Sequence, residues 1–154
     1  MIDGLAIEIV DPGHPSALRL IAELDAFQSA MYPPESNHLD SVQTLRANNV
    51  RFLGAFLDLD MVACGAIKLA ADYAEVKRVY VPPRHRNKGI ARAMMVELEN
   101  QARKAARQHL FLETGVHQPE ALGLYQSLGY RRCPPFGDYA EDPNSVFMHK
   151  AIGA

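Results

Sequence analysis

An α/β (α+β) fold of about seven strands and four helices, in a single domain spanning residues 1–154, is what this chain predicts. Three observations point there. Strand-forming runs alternate with amphipathic runs in the order strand, two helices, three strands, helix, strand, helix, two strands. No internal repeat, low-complexity tract or linker interrupts that order. The stretch from Glu75 to Arg103 reads as strand, basic glycine-containing loop and long helix, and the rest of the chain is arranged around it.

In chain order, Leu5 to Val10 is the first strand, ended by the turn residues Asp11-Pro12-Gly13. Pro15 to about Tyr32 is a helix whose apolar side carries Leu18, Ile21, Ala22, Leu24 and Phe27. Two prolines stop any helix in the polar Tyr32-Pro33-Pro34-Glu35-Ser36-Asn37-His38 segment. A short second helix is expected over Leu39 to Asn48. Val50 to Leu57 and Met61 to Leu69 form a hairpin, and Glu75 to Val81 is the fourth strand. After the long helix, Leu110 to Thr114 is a short strand parallel to its neighbour across the crossover. Pro119 suits the first turn of a helix running to Leu128, with Gly129 at its C′ position. Tyr130 to Cys133 and Ser145 to Ile152 are the last strands, joined by a long polar connection.

Within the organising stretch, Val76, Val79, Tyr80 and Val81 favour a strand, and Pro82-Pro83 end it. Arg84, His85, Arg86 and Lys88 then place four formal positive charges within five residues when His85 is protonated. Ile90, Met94, Leu98, Ala102 and Ala105 make the helix's apolar stripe, while Glu99 and Arg103 form an i, i+4 pair on its polar side. A helix N-terminus with unpaired N–H groups, flanked by Arg and Lys, suits a phosphate or pyrophosphate. A solvated basic turn is the plain alternative. The loop lacks the Gly-Lys-Ser/Thr of a Walker loop and the several glycines of a dinucleotide fingerprint.

Arg86-Asn87-Lys88-Gly89-Ile90-Ala91 fits Arg/Gln-x-x-Gly-x-Gly/Ala after a strand ending Val-Tyr-Val-Pro, and so resembles the acetyl-CoA signature of the GNAT N-acetyltransferase superfamily. Leu124-Tyr125-Gln126-Ser127-Leu128-Gly129-Tyr130 resembles that family's Leu-Tyr-x-x-x-Gly-Phe/Tyr helix end, and the two matches stand in family order. The resemblance implies a central mixed, mostly antiparallel twisted sheet with a V-shaped splay between the fourth and fifth strands. It also implies transfer of the acetyl group of acetyl-CoA to a primary amine by direct attack in a ternary complex. Backbone N–H groups from Arg86 to Ala91 are expected on the pyrophosphate, with Arg84 and Arg92 reaching the outer phosphates.

Such a reaction needs a neutral amine, a stabilised oxyanion and a proton for the leaving thiolate. By resemblance Tyr125 is the acid, against the alternative of a core tyrosine with a satisfied hydroxyl. Glu75 is the candidate base, six residues before Val81; the alternatives are a solvated carboxylate or a water relay. Strand alternation puts Glu75, Lys77, Val79 and Val81 on one face if no bulge intervenes. An oxyanion donor is expected in the backbone of Val79, Tyr80 and Val81. By resemblance Tyr32, Glu35, Asn37 and His38 are expected near the acceptor, His117 facing either the pantetheine or the acceptor, and His85 near the phosphates.

Composition bounds the rest. At 48% hydrophobic and 22% charged the chain is ordinary for a globular protein. A net charge of −2 argues against nucleic acid as partner, and the basic loop lacks interleaved aromatics. Cys64 and Cys133 make neither a metal spacing nor a disulfide framework, and no metal is expected. Without a signal-like N-terminus or a membrane-length apolar run, the expected location is a reducing cytoplasm. A small-molecule amine acceptor is expected, such as an amino acid, polyamine or aminoglycoside; a protein lysine or N-terminus and a non-catalytic CoA-binding module are the rivals. Dimers are common in the family, so a homodimer stays open, although no interface pattern is legible.

Overall fold

The computed structural model describes residues 2–37 and 39–153. In chain order these residues form β1 (Leu5–Ile9), α1 (Pro15–Met31), α2 (Val42–Leu45), β2 (Val50–Leu57), β3 (Asp60–Leu69), β4 (Ala74–Tyr80), α3 (Ile90–Lys104), β5 (His109–Gly115), α4 (Pro119–Ser127), β6 (Arg131–Arg132) and β7 (Ser145–Ala151). The strands make one sheet in the order β1-β2-β3-β4-β5-β7-β6. Every neighbouring pair is antiparallel except β4 and β5. One face carries α1 and α2 over Phe52, Met61, Cys64, Ala66 and Tyr80. The other carries α3 and the end of α4 over Leu53, Val62, Ile67, Val76, Leu110, Leu112 and Met148.

The splay has a local cause. β4 and β5 pair only at Ala74↔Leu110, Glu75↔Phe111 and Val76↔Leu112. Against β3, Lys77 opposes Ala66 but Tyr80 opposes Cys64, so β4 holds one extra residue there. That residue is at the bulge around Arg78, whose φ is +60°. A bulge bends its strand, and here it coincides with the point where β4 leaves β5. The Cys64 thiol donates to the Arg78 carbonyl (3.4 Å), the Arg78 guanidinium bonds Asp25 Oδ1 of α1 (2.5 Å), and it also bonds the Asp40 carbonyl. Burial pushes the Cys64 thiol up to about 12, so it stays a neutral donor.

This bulge overturns simple alternation along β4. Glu75 and Lys77 face α1, as do their β3 partners Lys68 and Ala66. Beyond the extra residue the parity reverses, and Val79 and Val81 pack with the α3 core instead.

Four other expectations need correcting. The helix expected over Leu39 to Asn48 shrinks to Val42–Leu45, because Ser41 caps it by accepting from the Thr44 N–H (3.1 Å) and turns follow at once. The buried stripe of α1 is Ala17, Leu20, Ile21 and Leu24, while Leu18 is 43% exposed. Glu99 keeps its i, i+4 contact with Arg103 (4.0 Å) but is buried in α3 rather than on a polar side, and accepts from Tyr130 Oη (2.9 Å) and Lys150 Nζ (3.0 Å). The strand expected from Tyr130 keeps only Arg131–Arg132, because the Tyr130 N–H closes α4 on the Tyr125 carbonyl (3.0 Å), with Gly129 bonding Gln126 (3.0 Å). That closure is a Schellman cap, and it fixes Tyr125 relative to the core tyrosine Tyr130. No described helix is long and apolar enough to cross a membrane.

Candidate active site

Two hollows meet where β4 and β5 part. A cleft of about 410 Å³ runs along Val79–Val81, past the basic loop and the first turn of α3, to the start of α4. A smaller cavity of about 90 Å³ lies on the α1 side, between the end of α1, β4, the end of β5 and the loop before β7. Leu24, Val79, Gln118 and Tyr125 line both.

The cleft is shaped by backbone conformation. Asn87 has φ +63° and Gly89 φ +81°, so the loop coils left-handed just before α3 begins at Ile90. A Cβ at Gly89 would meet nothing closer than Ile2 at 3.9 Å; its glycine is required by φ, not by crowding. The first-turn N–H groups of Ile90, Ala91 and Arg92 have no helical carbonyl to bond and stand at the positive end of the helix dipole. Arg86 serves the loop itself: its N–H bonds the Pro83 carbonyl (3.2 Å), its Nε bonds the Val81 carbonyl (2.8 Å), and its guanidinium lies over Phe27 and Tyr80.

Of the residues expected around the cofactor, Val79, Tyr80, Val81, Arg86, Asn87, Gly89, Ile90, Ala91 and Arg92 line the cleft. His85 lines it too, while Arg92 also bonds Ser127 Oγ (2.7 Å). Lys88 is exposed outside the lining, and Arg84 is turned to Glu23 of α1 (3.3 Å).

Tyr125 and Glu75 both line the small cavity. Burial, reinforced by the nearby Glu113 carboxylate, pushes the Tyr125 phenol up to about 12. Its ring packs edge-on against Tyr130. Glu75 Oε2 accepts a 2.5 Å hydrogen bond from Tyr139 Oη and lies 3.6 Å from Lys77 Nζ. Lys77 in turn lies 3.3 Å from Asp40 Oδ2. Burial and then the Glu75 charge hold the Tyr139 phenol far above its ordinary range, so it donates and does not ionise.

The expected acceptor residues separate. Tyr32 lines the small cavity, donates to Gln118 Oε1 (3.3 Å), accepts the His117 N–H (3.1 Å) and stacks on the His117 ring. Burial raises its phenol. It lies so close over the end of β5 that a Cβ on Gly115 would sit 1.7 Å from its hydroxyl. Asn37 lines the cavity, whereas His117 lines the larger cleft. Glu35 is exposed and lines neither hollow, and His38 lies outside the described residues.

Sequence reading did not single out Ser36, Arg78, Glu113, Gln118, Tyr139 or Asn144 as cavity residues, yet all six line it. Ser36 Oγ donates to Asp142 (2.8 Å) and accepts from Asn144 Nδ2 (3.2 Å), which ties the segment after α1 to the loop before β7. No local pattern marks these residues, because each meets its partner across the fold. The one signal present was Arg78 itself, a charged residue amid Val76, Val79 and Val81.

The Acetyltransferase (GNAT) family model matches residues 17–130. The chain is 41% identical over 143 residues to the IAA acetyltransferase of Azospirillum brasilense, covering 92% of this chain and 94% of that protein. It is 35% identical over 149 residues to the uncharacterized N-acetyltransferase YsnE of Bacillus subtilis (strain 168), covering 95% and 99%. The crystal structure of a candidate acyl-CoA N-acyltransferase from Klebsiella pneumoniae superposes with a TM-score of 0.82 at 34% identity, covering 97% of this chain and 98% of that one. The fold recurs at 18% identity and a TM-score of 0.76, over 96% of this chain and 98% of the other, in an N-acetyltransferase from Thermoplasma acidophilum that was crystallised with coenzyme A. With the splayed sheet and the signature loop at the head of α3, these matches establish that the chain belongs to the GNAT family of N-acetyltransferases.

Proposed function

We propose that the chain, acting as one domain, transfers the acetyl group of acetyl-CoA to the primary amine of a small molecule by direct attack in a ternary complex. The observation that carries this reading is the meeting of a long cleft and a small polar cavity at Val79 and Tyr125. The cleft residues fit an acyl-CoA: a left-handed Gly89 lets a phosphate approach the backbone, and the N–H groups of the first turn of α3 are free of helical partners. Bound there, acetyl-CoA supplies an acyl group activated as a thioester.

The chain's own groups divide the remaining work. Asn87 to Arg92 hold the pyrophosphate end. Arg86 keeps the loop in shape, since its N–H and Nε are already engaged. Backbone beyond Lys77 has no partner on β5, so an N–H between Val79 and Val81 is available to the acyl oxygen. Tyr125 keeps its proton through neutral pH and gives it toward the departing sulfur, and the proton that the nitrogen sheds as the amide forms restores it. Glu75 takes the proton of the incoming ammonium. Tyr32 fixes the β5 side of the passage through Gln118 and the His117 N–H.

Three features favour a small molecule over a polypeptide acceptor. The cavity measures about 90 Å³. Its roof is tied by Ser36, Asp142 and Asn144, a closure that suits a small acceptor better than an extended chain. The relative named for IAA supports a small-molecule acceptor as well. The test is thiol release from acetyl-CoA against a broad panel of amines, amino acids and N-terminal peptides, with Tyr125→Phe alongside. Selective turnover of small amines that falls in the variant supports the reading. Turnover of peptides alone overturns the acceptor class, and binding of acetyl-CoA without turnover of any amine favours a non-catalytic module.

A further inference from the structure

We propose that Tyr139 is a positioning residue for acetyl transfer: its hydroxyl bonds both Lys77 and Glu75 and keeps one carboxylate oxygen of Glu75 open to the acceptor amine. This rests on the reading of Glu75 as the base.

The geometry is specific. Tyr139 Oη donates to Glu75 Oε2 at 2.5 Å and accepts from Lys77 Nζ at 3.3 Å. Lys77 Nζ is 3.6 Å from that same Oε2. The hydrogen bond and the closest approach of Lys77 both fall on Oε2; among the described residues no hydrogen bond is made to Oε1, and Glu75 lines the small cavity. Lys77 and Glu75 are two apart on the same face of β4 and already meet at 3.6 Å, so without the Tyr139 hydroxyl to share the ammonium it would draw closer onto the carboxylate. Their side chains are only 11% and 12% exposed, so water competes weakly for either charge. Tyr139 takes up part of the Lys77 ammonium, and Asp40 takes up another part at 3.3 Å.

The surrounding charges fit this arrangement. Facing the pair are Lys68, opposite Glu75 on β3, with Tyr73, Asp40 and Glu113. The neighbouring Arg78 is taken up by Asp25. The Tyr139 ring cannot swing aside easily, because it packs on Phe136 and Phe147 with centroids at 5.0 and 5.5 Å. It sits on the loop whose Asp142 and Asn144 hold Ser36, so the roof of the cavity and the set of Glu75 are one mechanical unit.

In the step itself, one N–H bond of the acceptor ammonium breaks and an O–H bond forms at Glu75 Oε1. The Tyr139 O–H and the Lys77 N–H bonds stay intact. The proton leaves Glu75 for solvent after product departs. A nucleophile that is already neutral at pH 7 needs no such transfer before attack, and the one proton its nitrogen sheds as the amide forms replaces the proton that Tyr125 gives the sulfur; this separates positioning of the base from general support of the fold.

The experiment compares wild type, Tyr139→Phe and Glu75→Gln with two acceptors at pH 7: the best alkylamine from the panel, which arrives protonated, and hydroxylamine, which arrives neutral. Phe keeps the ring contacts, and a thermal melt confirms that the variant is folded. The expected result for Tyr139→Phe is a loss of about tenfold in kcat/KM with the alkylamine, the scale of one charge-assisted hydrogen bond, and less than about twofold with hydroxylamine. Equal losses with both acceptors, or none with either, overturn the role of Tyr139. If Glu75→Gln also spares the alkylamine, the reading of Glu75 as base fails on its own count, whatever Tyr139→Phe does.

Discussion

The cleft and the cavity that meet at Tyr125 are built in opposite ways. Most of the cleft comes from one continuous run, Val79 to Arg92: strand end, turn, left-handed glycine and helix start. The cavity comes from the end of α1, the segment after it, β4, the end of β5 and the loop before β7. Its defining contact, Ser36 with Asn144, spans 108 residues. A site made of local backbone recognises a constant chemical group, whereas a site made of distant side chains can be changed one residue at a time. On the proposed function, that division puts the fixed chemistry of the donor in the cleft and the variable chemistry of the acceptor in the cavity.

The sharpest way to break the comparison is at Tyr125, one of the four residues both halves share. Tyr125→Phe is expected to lower turnover by about 10²-fold or more, while acetyl-CoA affinity stays within about twofold. The pH profile sharpens the assignment. An acid works only while protonated, and burial pushes this phenol up to about 12, so turnover should hold as pH rises through 10 and fail only beyond. A loss centred near the pKa of an exposed phenol, about 10, would point to another donor.

Next in size is a change confined to the cleft. Gly89→Val forces a β-branched residue to φ +81° at the head of α3. With about 1–2 kcal/mol of strain and a Cβ between the backbone and the phosphates, acetyl-CoA should bind about tenfold or more weakly by calorimetry. The KM of the acceptor at saturating acetyl-CoA should not change. If both constants moved together, the two halves would not be separable in the way their construction implies.

The bulge at Arg78 is where the halves are joined, and it tests stability rather than affinity. The Arg78 side chain is 3% exposed, but its partner Asp25 is 44% exposed, so solvent screening tempers the ion pair. Arg78→Ala should cost roughly 1–3 kcal/mol in urea unfolding. Arg78→Gly should cost less by about 1 kcal/mol, because glycine accepts φ +60° without a Cβ penalty. The reverse order would mean that the left-handed conformation at this position is not what the native state requires.

How far each half could be read from sequence follows from the same contrast. The β2–β3 hairpin, the long helix and the phosphate loop were legible because their signals are local: Pro82-Pro83 stop β4, Gly89 turns the loop, and Ile90, Met94 and Leu98 stripe α3. The face of Glu75 relative to Val79 was not, because alternation carries no mark of a single inserted residue. Arg78 at φ +60° has no glycine to betray it, and its conformation is held by Asp25, the Asp40 carbonyl and the Cys64 thiol. Glu99 was misplaced for a related reason: its partners Tyr130 and Lys150 lie 31 and 51 residues away. Tyr139 read as part of a polar connection, and only the folded sheet brings it to Glu75, 64 residues earlier.

The smallest expected effect isolates the cavity alone. Ser36→Ala removes the hydroxyl that donates to Asp142 and accepts from Asn144. One part-buried bridge of this kind contributes about 0.5–1.5 kcal/mol. Ser36 is 8% exposed and sits in a single turn of 3₁₀-helix, so the loss falls on the closure of the roof and not on the sheet. The acceptor KM should rise about threefold, with acetyl-CoA affinity and the Tyr125-dependent step unaltered. A roof that excludes longer acceptors predicts more: the variant should gain activity toward bulkier amines relative to small ones. If the variant loses activity toward every acceptor in the same proportion, the roof supports the site without selecting what enters it, and acceptor choice would then rest on the charged floor formed by Glu75, Lys77 and Glu113.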